Sequence, residues 1–324
     1  MTRQNRHIVI GGGSGFIGRA LTQVLRERGD RVTIISRVDQ PGGLTWDHVR
    51  CHGLPLCDVV INLAGKHILD MTRLWTPKYR DEVIRSRVET TETLVRAINA
   101  MDVPPELFIS TAGKCYYGSQ AFREREQYYD LDEHSHPVGV DFPSEVVSRW
   151  EAAALGIDTQ RVRHVKLRLG IVLGMRPRHA EATQGVAAYG IFPLLHALFR
   201  RGLCLSMGNG VQPFPWVHID DVVGVCLRAI DCRQMQDVFN VVAPGIVTNA
   251  DFTRLLASKL RRSVLGRIPP WLIKMVVGVE RSTILLLGQR VKPVRTMAYG
   301  YEFQFPQLEG CIDDLVNQTG RERA

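Results

Sequence analysis

Two spacings of apolar residues take turns along this chain. Short unbroken apolar runs, His7 to Ile10, Val32 to Ser36, Cys57 to Ala64, Leu107 to Ser110, Val165 to Leu169 and Val238 to Val241, have the length and continuity of strands buried on both faces. Between them the spacing shifts to that of amphipathic helices. One runs from Arg19 to Arg28 and stops at Gly29. A second lies between Pro77 and Pro104, with Val83, Ile84, Val88, Leu94, Val95 and Ile98 on its apolar side, and a third runs from Ser144 to Leu155. Strands alternating with helices in this order predict an α/β fold, a doubly wound parallel sheet whose carboxyl edge is the ligand edge.

From Arg176 onward the pattern breaks up. Glycine and proline punctuate it, a helix is predicted from Phe192 to Arg201, Gly208-Asn209-Gly210 reads as a turn, and Thr248 with Asp251 forms a variant capping box for a helix reaching Leu260. This suggests a main domain over 1–174 and a smaller C-terminal lobe over 175–324. The two are not cleanly separable, because a strand near 237–242 belongs with the main sheet. Leu44-Thr45-Trp46 is a short strand candidate, and the segment after it reads as a loop between strands. That loop carries His48, Cys51, His52 and, further on, Cys57, whose spacing fits no zinc pattern, so no metal site is expected. Residues 120–141 are polar, charged and aromatic, and read as an exposed insertion. No internal repeat is visible.

The stretch after the first strand concentrates the chemistry. Gly12, Gly15 and Gly18 stand three apart, with Phe16 and Ile17 opening the next helix. Such spacing lets the backbone turn sharply, lets a pyrophosphate approach the helix N-terminus and lets the helix pack close on the sheet. The second strand ends in Ser36-Arg37. A guanidinium there can take the 2′-phosphate of NADP in two places and the Ser36 hydroxyl can add a donor, although Asp39 could still meet a ribose. Asn62-Leu63-Ala64-Gly65 closes the next strand on small residues past which a cofactor can run. Gly12, Gly15, Phe16, Ile17, Gly18, Ser36, Arg37, Asn62, Leu63, Ala64 and Gly65 are therefore the candidate cofactor-binding residues, and NADP(H) the expected cofactor.

Composition narrows the classes. Apolar residues make up 45% and charged residues 23% of 324, which is ordinary for a soluble globular chain and argues against disorder. No run of eighteen apolar residues exists, so no membrane span is expected, and no targeting peptide is evident. Seven scattered cysteines without a Cys-x-x-Cys pair suit reduced thiols in an intracellular compartment, cytoplasm or mitochondrial matrix. The net charge of +8 suits a phosphorylated ligand, a matrix-type compartment, or docking of a basic face on a protein partner or large acidic assembly. Direct nucleic-acid binding is not expected, because no Lys/Arg run is interleaved with aromatics.

These pieces together resemble extended short-chain dehydrogenases/reductases, and more closely their atypical branch called the epimerase family, whose members carry a C-terminal domain of unknown function. The resemblance rests on Gly11 to Gly18, Asn62 to Gly65, Trp75-Thr76, Ser86 to Thr91, Tyr116-Tyr117-Gly118, Trp150-Glu151, Phe214 to Asp221 and Gly288 to Val291. It implies a Rossmann-type sheet with NADP(H) bound, and a substrate lobe lined by Trp216 to Asp221. A helix cap explains Asp220 and Asp221 as readily. The superfamily's proton chemistry uses a Ser/Thr and a Tyr followed four residues later by Lys. Aligned on Glu151, those last two positions hold Pro143 and Val147, and the position where the branch usually keeps a hydroxyl is Ala112. The family's glutamate after Asn-Leu-Ala-Gly is Lys66, and its glycine-rich passage is replaced by Arg176-Pro177-Arg178-His179. Two readings compete. One is an NADP-dependent oxidoreductase or epimerase-like enzyme using a non-standard acid, with Tyr117, Tyr116 or Lys114 as candidates. The other is a catalytically silent structural or redox-sensing subunit that binds the dinucleotide.

Overall fold

The computed structural model describes residues 5–66, 68, 75–119, 129–137, 141–175 and 190–321. Most of the predicted insertion at 120–141, and Arg176 to His179, lie outside them. The first half runs β1 (His7–Gly11), α1 (Phe16–Glu27), β2 (Arg31–Ser36), β3 (Leu44–Thr45), α2 (Trp46–His52), β4 (Val59–Asn62), α3 (Pro77–Asn99) and β5 (Leu107–Gly113). A single 3-10 turn, Lys114–Tyr117, comes next, then β6 (Asp130–Leu131), α4 (Phe142–Ala153), β7 (Arg163–Leu169) and β8 (Ile171–Leu173). The remainder is α5 (Phe192–Arg200), β9 (Leu205–Met207), β10 (Trp216–His218), α6 (Ile219–Asp231), β11 (Asp237–Val241), α7 (Asn249–Lys259), β12 (Gly266–Ile268), α8 (Pro270–Val277), α9 (Val279–Leu286), β13 (Arg290–Val291), α10 (Val294–Ala298) and α11 (Leu308–Arg321).

Seven strands form one parallel sheet in the order β11-β7-β5-β4-β1-β2-β3. The apolar runs are continuous because both faces of this sheet are covered. Ile8 and Ile10 of β1 point into a core shared with Leu21 and Leu25 of α1 and Val222, Val225 and Ala229 of α6. Val9, between them, faces the opposite core with Trp46, Leu94, Ile98 and Phe108. Chain order reverses between β1 and β4, and the crevice at such a switch point is where doubly wound sheets take ligands.

One local reading needs correction. The segment after Thr45 is not a loop: it forms α2, and the Thr45 side chain caps it by accepting from the His48 amide. His48 and His52 are neighbours one turn apart on that helix. Ile171 to Leu173 forms a strand pairing β10 outside the main sheet. The capping box at Thr248 and Asp251 forms as the spacing predicts. The start of α6 is capped by His218, whose Nδ1 accepts from the Asp220 amide. Asp221, fully buried, instead accepts from the Tyr301 hydroxyl and the Gln304 and Phe305 amides, and so ties the chain after α10 to α6.

His164 of β7 stacks on Phe108 of β5, and its Nε2 meets the Ser110 hydroxyl at 2.8 Å. Burial pushes its pKa down from 6.5 to about 4. The unfolded chain therefore takes up this proton near pH 6.5 while the folded chain resists it to about pH 4. Stability is complete above the upper value and is lost as the pH falls through that window, by on the order of 3 kcal/mol. His7, lowered by burial as well, acts in the same direction. Urea midpoints should fall between pH 7 and pH 5, and the fall should be shallower in His164→Gln. An equal slope in that variant would assign the loss elsewhere.

Candidate functional site

The three loop glycines have three different reasons to be glycine. Gly12 has φ +78°, and a Cβ there would sit 2.8 Å from the Ala64 amide nitrogen, so backbone and packing both exclude a side chain. Gly18 packs α1 on the loop, and its Cβ would meet the Gly12 carbonyl oxygen at 2.4 Å. Gly15 is unlike both. Its φ of −79° suits any residue, and among the described residues its Cβ would meet only the Gly12 carbonyl oxygen within 4 Å, at 3.2 Å. It is the N-cap of α1 without a side-chain cap, and no acid stands in the first turn. The helix therefore presents the uncapped amide end expected of an anion site, with Phe16 and Ile17 as its first residues.

Across the switch point, the Leu63 amide donates to the Gly11 carbonyl. Asn62 is fully buried. Its Oδ1 accepts from the Ala64 amide, and its Nδ2 donates to Thr91 of α3. Its role is to shape the small-residue turn so that Ala64 abuts Gly12. The structure thus brings Gly12, Gly15, Gly18, Asn62, Leu63, Ala64 and Gly65 to one crevice.

At the end of β2 the two candidates part ways. The Ser36 hydroxyl donates to the Val38 carbonyl and accepts from the Val38 amide and Gln40 Nε2, so its proton is engaged locally. Arg37 is exposed and forms no ion pair among the described residues. An open groove along α1 is lined by Gly13, Ser14, Arg19, Arg26, Ile34 and Gln40. The arginines of α1 carry no signal in the sequence, since on a helix period they read as a solvated face.

The carboxyl end of β5 would face a reacting group. Ala112 is buried, and the Thr111 hydroxyl donates to the Asn62 carbonyl at 2.8 Å, which engages its proton inside the fold. Pro143 sits in the first turn of α4, behind a capping box made by Asp141 and Ser144. Val147, one turn on, packs within 3.6 Å of where a Gly113 Cβ would lie. Tyr117 is fully buried. Its hydroxyl donates to Asn240 Oδ1 at 2.9 Å and accepts from Arg168, and burial pushes its pKa up to about 12. Tyr116 lies under the Arg168 guanidinium, 3.2 Å from its ring centroid. Lys114, also buried, donates from Nζ to Gln289 Oε1 at 2.7 Å, and a narrow cleft beside it is walled by Ser119, Asp141, Pro143, Thr283 and Leu287. Lys66 pairs with Glu82. Arg87, which in the sequence is merely part of a polar helix face, lies under Gly65 and against the Trp150 ring, and burial lowers its pKa to about 10.

A glycine turn, an uncapped helix end and a small-residue turn at the switch point of a parallel sheet define a Rossmann-type protein of the short-chain dehydrogenase/reductase kind. Residues 8–242 match the NAD dependent epimerase/dehydratase family, to which the chain belongs, and residues 268–315 match a domain of unknown function, DUF1731. The human epimerase family protein SDR39U1 is 40% identical over 311 residues, 95% of this chain and 99% of the human protein. The epimerase family protein SSP1921 of Staphylococcus saprophyticus is 28% identical over 319 residues, 96% of this chain and 100% of that protein. Among solved structures, human SDR39U1 (isoform 2) with NADPH superposes with a TM-score of 0.87 at 37% identity, over 96% of this chain and 99% of that one. The nucleoside-diphosphate sugar epimerase of Corynebacterium glutamicum gives 0.71 at 25% identity, over 99% of this chain and 62% of that one.

Proposed function

We propose that this chain is an NADP(H)-binding member of its family whose superfamily proton-transfer centre is lost, so that the dinucleotide serves as a structural or sensing ligand. The observation that carries the binding half is Gly15: its backbone angles need no glycine, and among the described residues its Cβ would meet only the Gly12 carbonyl oxygen at 3.2 Å, while a pyrophosphate at the end of α1 leaves no room for a side chain. The residues that would hold the cofactor are Gly12, Gly15, Phe16, Ile17 and Gly18 at the phosphates, Arg37 beside Ser36 at the 2′-phosphate, and Asn62, Leu63, Ala64 and Gly65 along its length. When bound, the nicotinamide would supply hydride chemistry. The solved human relative that carries NADPH supports this choice of cofactor.

The silent half rests on this chain's own side chains. An acid for carbonyl or hydroxyl chemistry must reach the reacting atom. Pro143 and Val147 have no proton to give, Ala112 has no hydroxyl, and the Tyr117 proton is spent on Asn240 inside the fold. The lobe over 175–324, which places α9 against the cleft beside Lys114, would form the substrate side. Among the described residues no helix is long and apolar enough to cross a membrane, and the scattered cysteines favour a soluble intracellular protein.

NADPH should raise the melting temperature of the purified chain. Cofactor absorbance should then stay constant with sugar nucleotides, quinones and aldehydes. A turnover near 1 s⁻¹, an ordinary enzymatic rate, that collapsed in Tyr117→Phe would overturn the silent half and install Tyr117 as the acid.

A further inference from the structure

Between Asp251 and Glu280 the chain holds no carboxylate but six cations, Arg254, Lys259, Arg261, Arg262, Arg267 and Lys274. Two are neutralised: Arg254 by Asp251, and Lys259 by Glu309 and Asp313. The other four are exposed and form no ion pair among the described residues. Glu280, which closes the stretch, is paired with Arg80. The same stretch exposes a run of apolar side chains. Trp271, Met275 and Val276 of α8 are 65%, 68% and 65% exposed, and Val279 at the start of α9 is 68% exposed, while Ile273 and Val277 hold the inner side of α8 to the fold. Leu265, also exposed, donates a hydrogen bond from its amide to the carbonyl of Cys204, next in the chain to the exposed Leu203. Among the described residues, exposed apolar side chains elsewhere include Val103, Leu155 and, on α10, Val294 and Met297.

We propose that this face seats on an anionic lipid surface, with Trp271, Met275, Val276 and Val279 entering the headgroup boundary and Arg267 and Lys274 meeting lipid phosphates. A tryptophan with aliphatic neighbours on a short helix end, ringed by unpaired cations, is the composition of an interfacial contact. A second copy is disfavoured by charge: a two-fold contact through this patch would set Arg267 and Lys274 against their own symmetry mates. An acidic protein partner is disfavoured by shape, because these side chains project outward and none lines either of the two clefts, beside Lys114 or along α1.

Full-length chain should sediment with vesicles of phosphatidylcholine and phosphatidylglycerol, and not with phosphatidylcholine alone. Raised salt should release it. Each cation near such a surface is worth roughly five-fold in affinity, so Arg267→Glu/Lys274→Glu should weaken binding by more than about 25-fold. Trp271→Ser/Met275→Ser should weaken it by at least about ten-fold. Both variants alter exposed side chains, and their melting temperatures should match the parent. Absence of binding to anionic vesicles would overturn the proposal. So would binding that neither variant reduces, capture by polyglutamate without vesicle binding, or a dimer in sedimentation that Trp271→Ser/Met275→Ser dissociates.

Discussion

A Gly15→Val chain is expected to fold and to lose NADPH affinity by on the order of 100-fold or more. That is the size of one or two charge-assisted hydrogen bonds from the end of α1 to a pyrophosphate. The backbone at Gly15 is already in a region open to valine, and the one close neighbour, the Gly12 carbonyl oxygen at 3.2 Å, has to give by only a few tenths of an ångström. Gly12 and Gly18 are poor tests of binding, since substitution at Gly12 meets a left-handed φ and the Ala64 backbone, and at Gly18 the Gly12 carbonyl at 2.4 Å. Those variants should fail to fold. Calorimetric titration of Gly15→Val beside its thermal melt separates the two effects. Unchanged NADPH affinity in a folded Gly15→Val protein would reduce the loop to a turn.

A large stability effect with a designed rescue is expected at Arg168. Its Nε and Nη2 grip both oxygens of Glu151 at 2.7 and 2.9 Å, its Nη1 reaches the Tyr117 hydroxyl at 3.2 Å, and its plane covers Tyr116. Burial opposes the charge, and the Glu151 carboxylate overcomes it, holding the guanidinium above its ordinary pKa. Arg168→Met would leave Glu151, 10% exposed, as an unpaired buried carboxylate, and should lower stability by about 3–5 kcal/mol. Arg168→Met/Glu151→Leu should recover most of it, because removing both charges removes the penalty. Urea unfolding of the two variants checks this. A loss below about 1 kcal/mol in Arg168→Met would show the pair to be solvated and would reopen Tyr117 to solvent, and with it the role of an acid.

Much of the fold is legible because it is written in local periods. The βαβ unit around the glycines is one continuous stretch from His7 to Ser36, and the buried runs and the Thr248 cap each lie within a dozen residues or so. The elements that escape lack a local signal. The helix α2 spans only Trp46–His52, less than two apolar periods, and its cap residue Thr45 reads as part of a strand. The pairings β8 with β10, β9 with β12 and β6 with β13 join residues dozens to more than a hundred apart, and sequence spacing says nothing of them. In the site, the glycines and Arg37 stand out by type and position. The partners of Tyr117 and Lys114 do not, since Asn240 and Gln289 lie 123 and 175 residues away. Glu151 stands out in the sequence as a motif residue, and its purpose becomes visible only with Arg168 across the turn.

The crevice at the switch point is expected to take NADP(H), with Arg37 choosing it over NAD(H). Calorimetric titration of NADPH and NADH into the same full-length preparation, and into Arg37→Ala, tests it most directly. NADPH should bind more tightly by about 1–3 kcal/mol, the size of a charge-assisted contact to the 2′-phosphate, and Arg37→Ala should bring the two affinities together. Equal affinities in the parent chain, or a preference that survives Arg37→Ala, would contradict it.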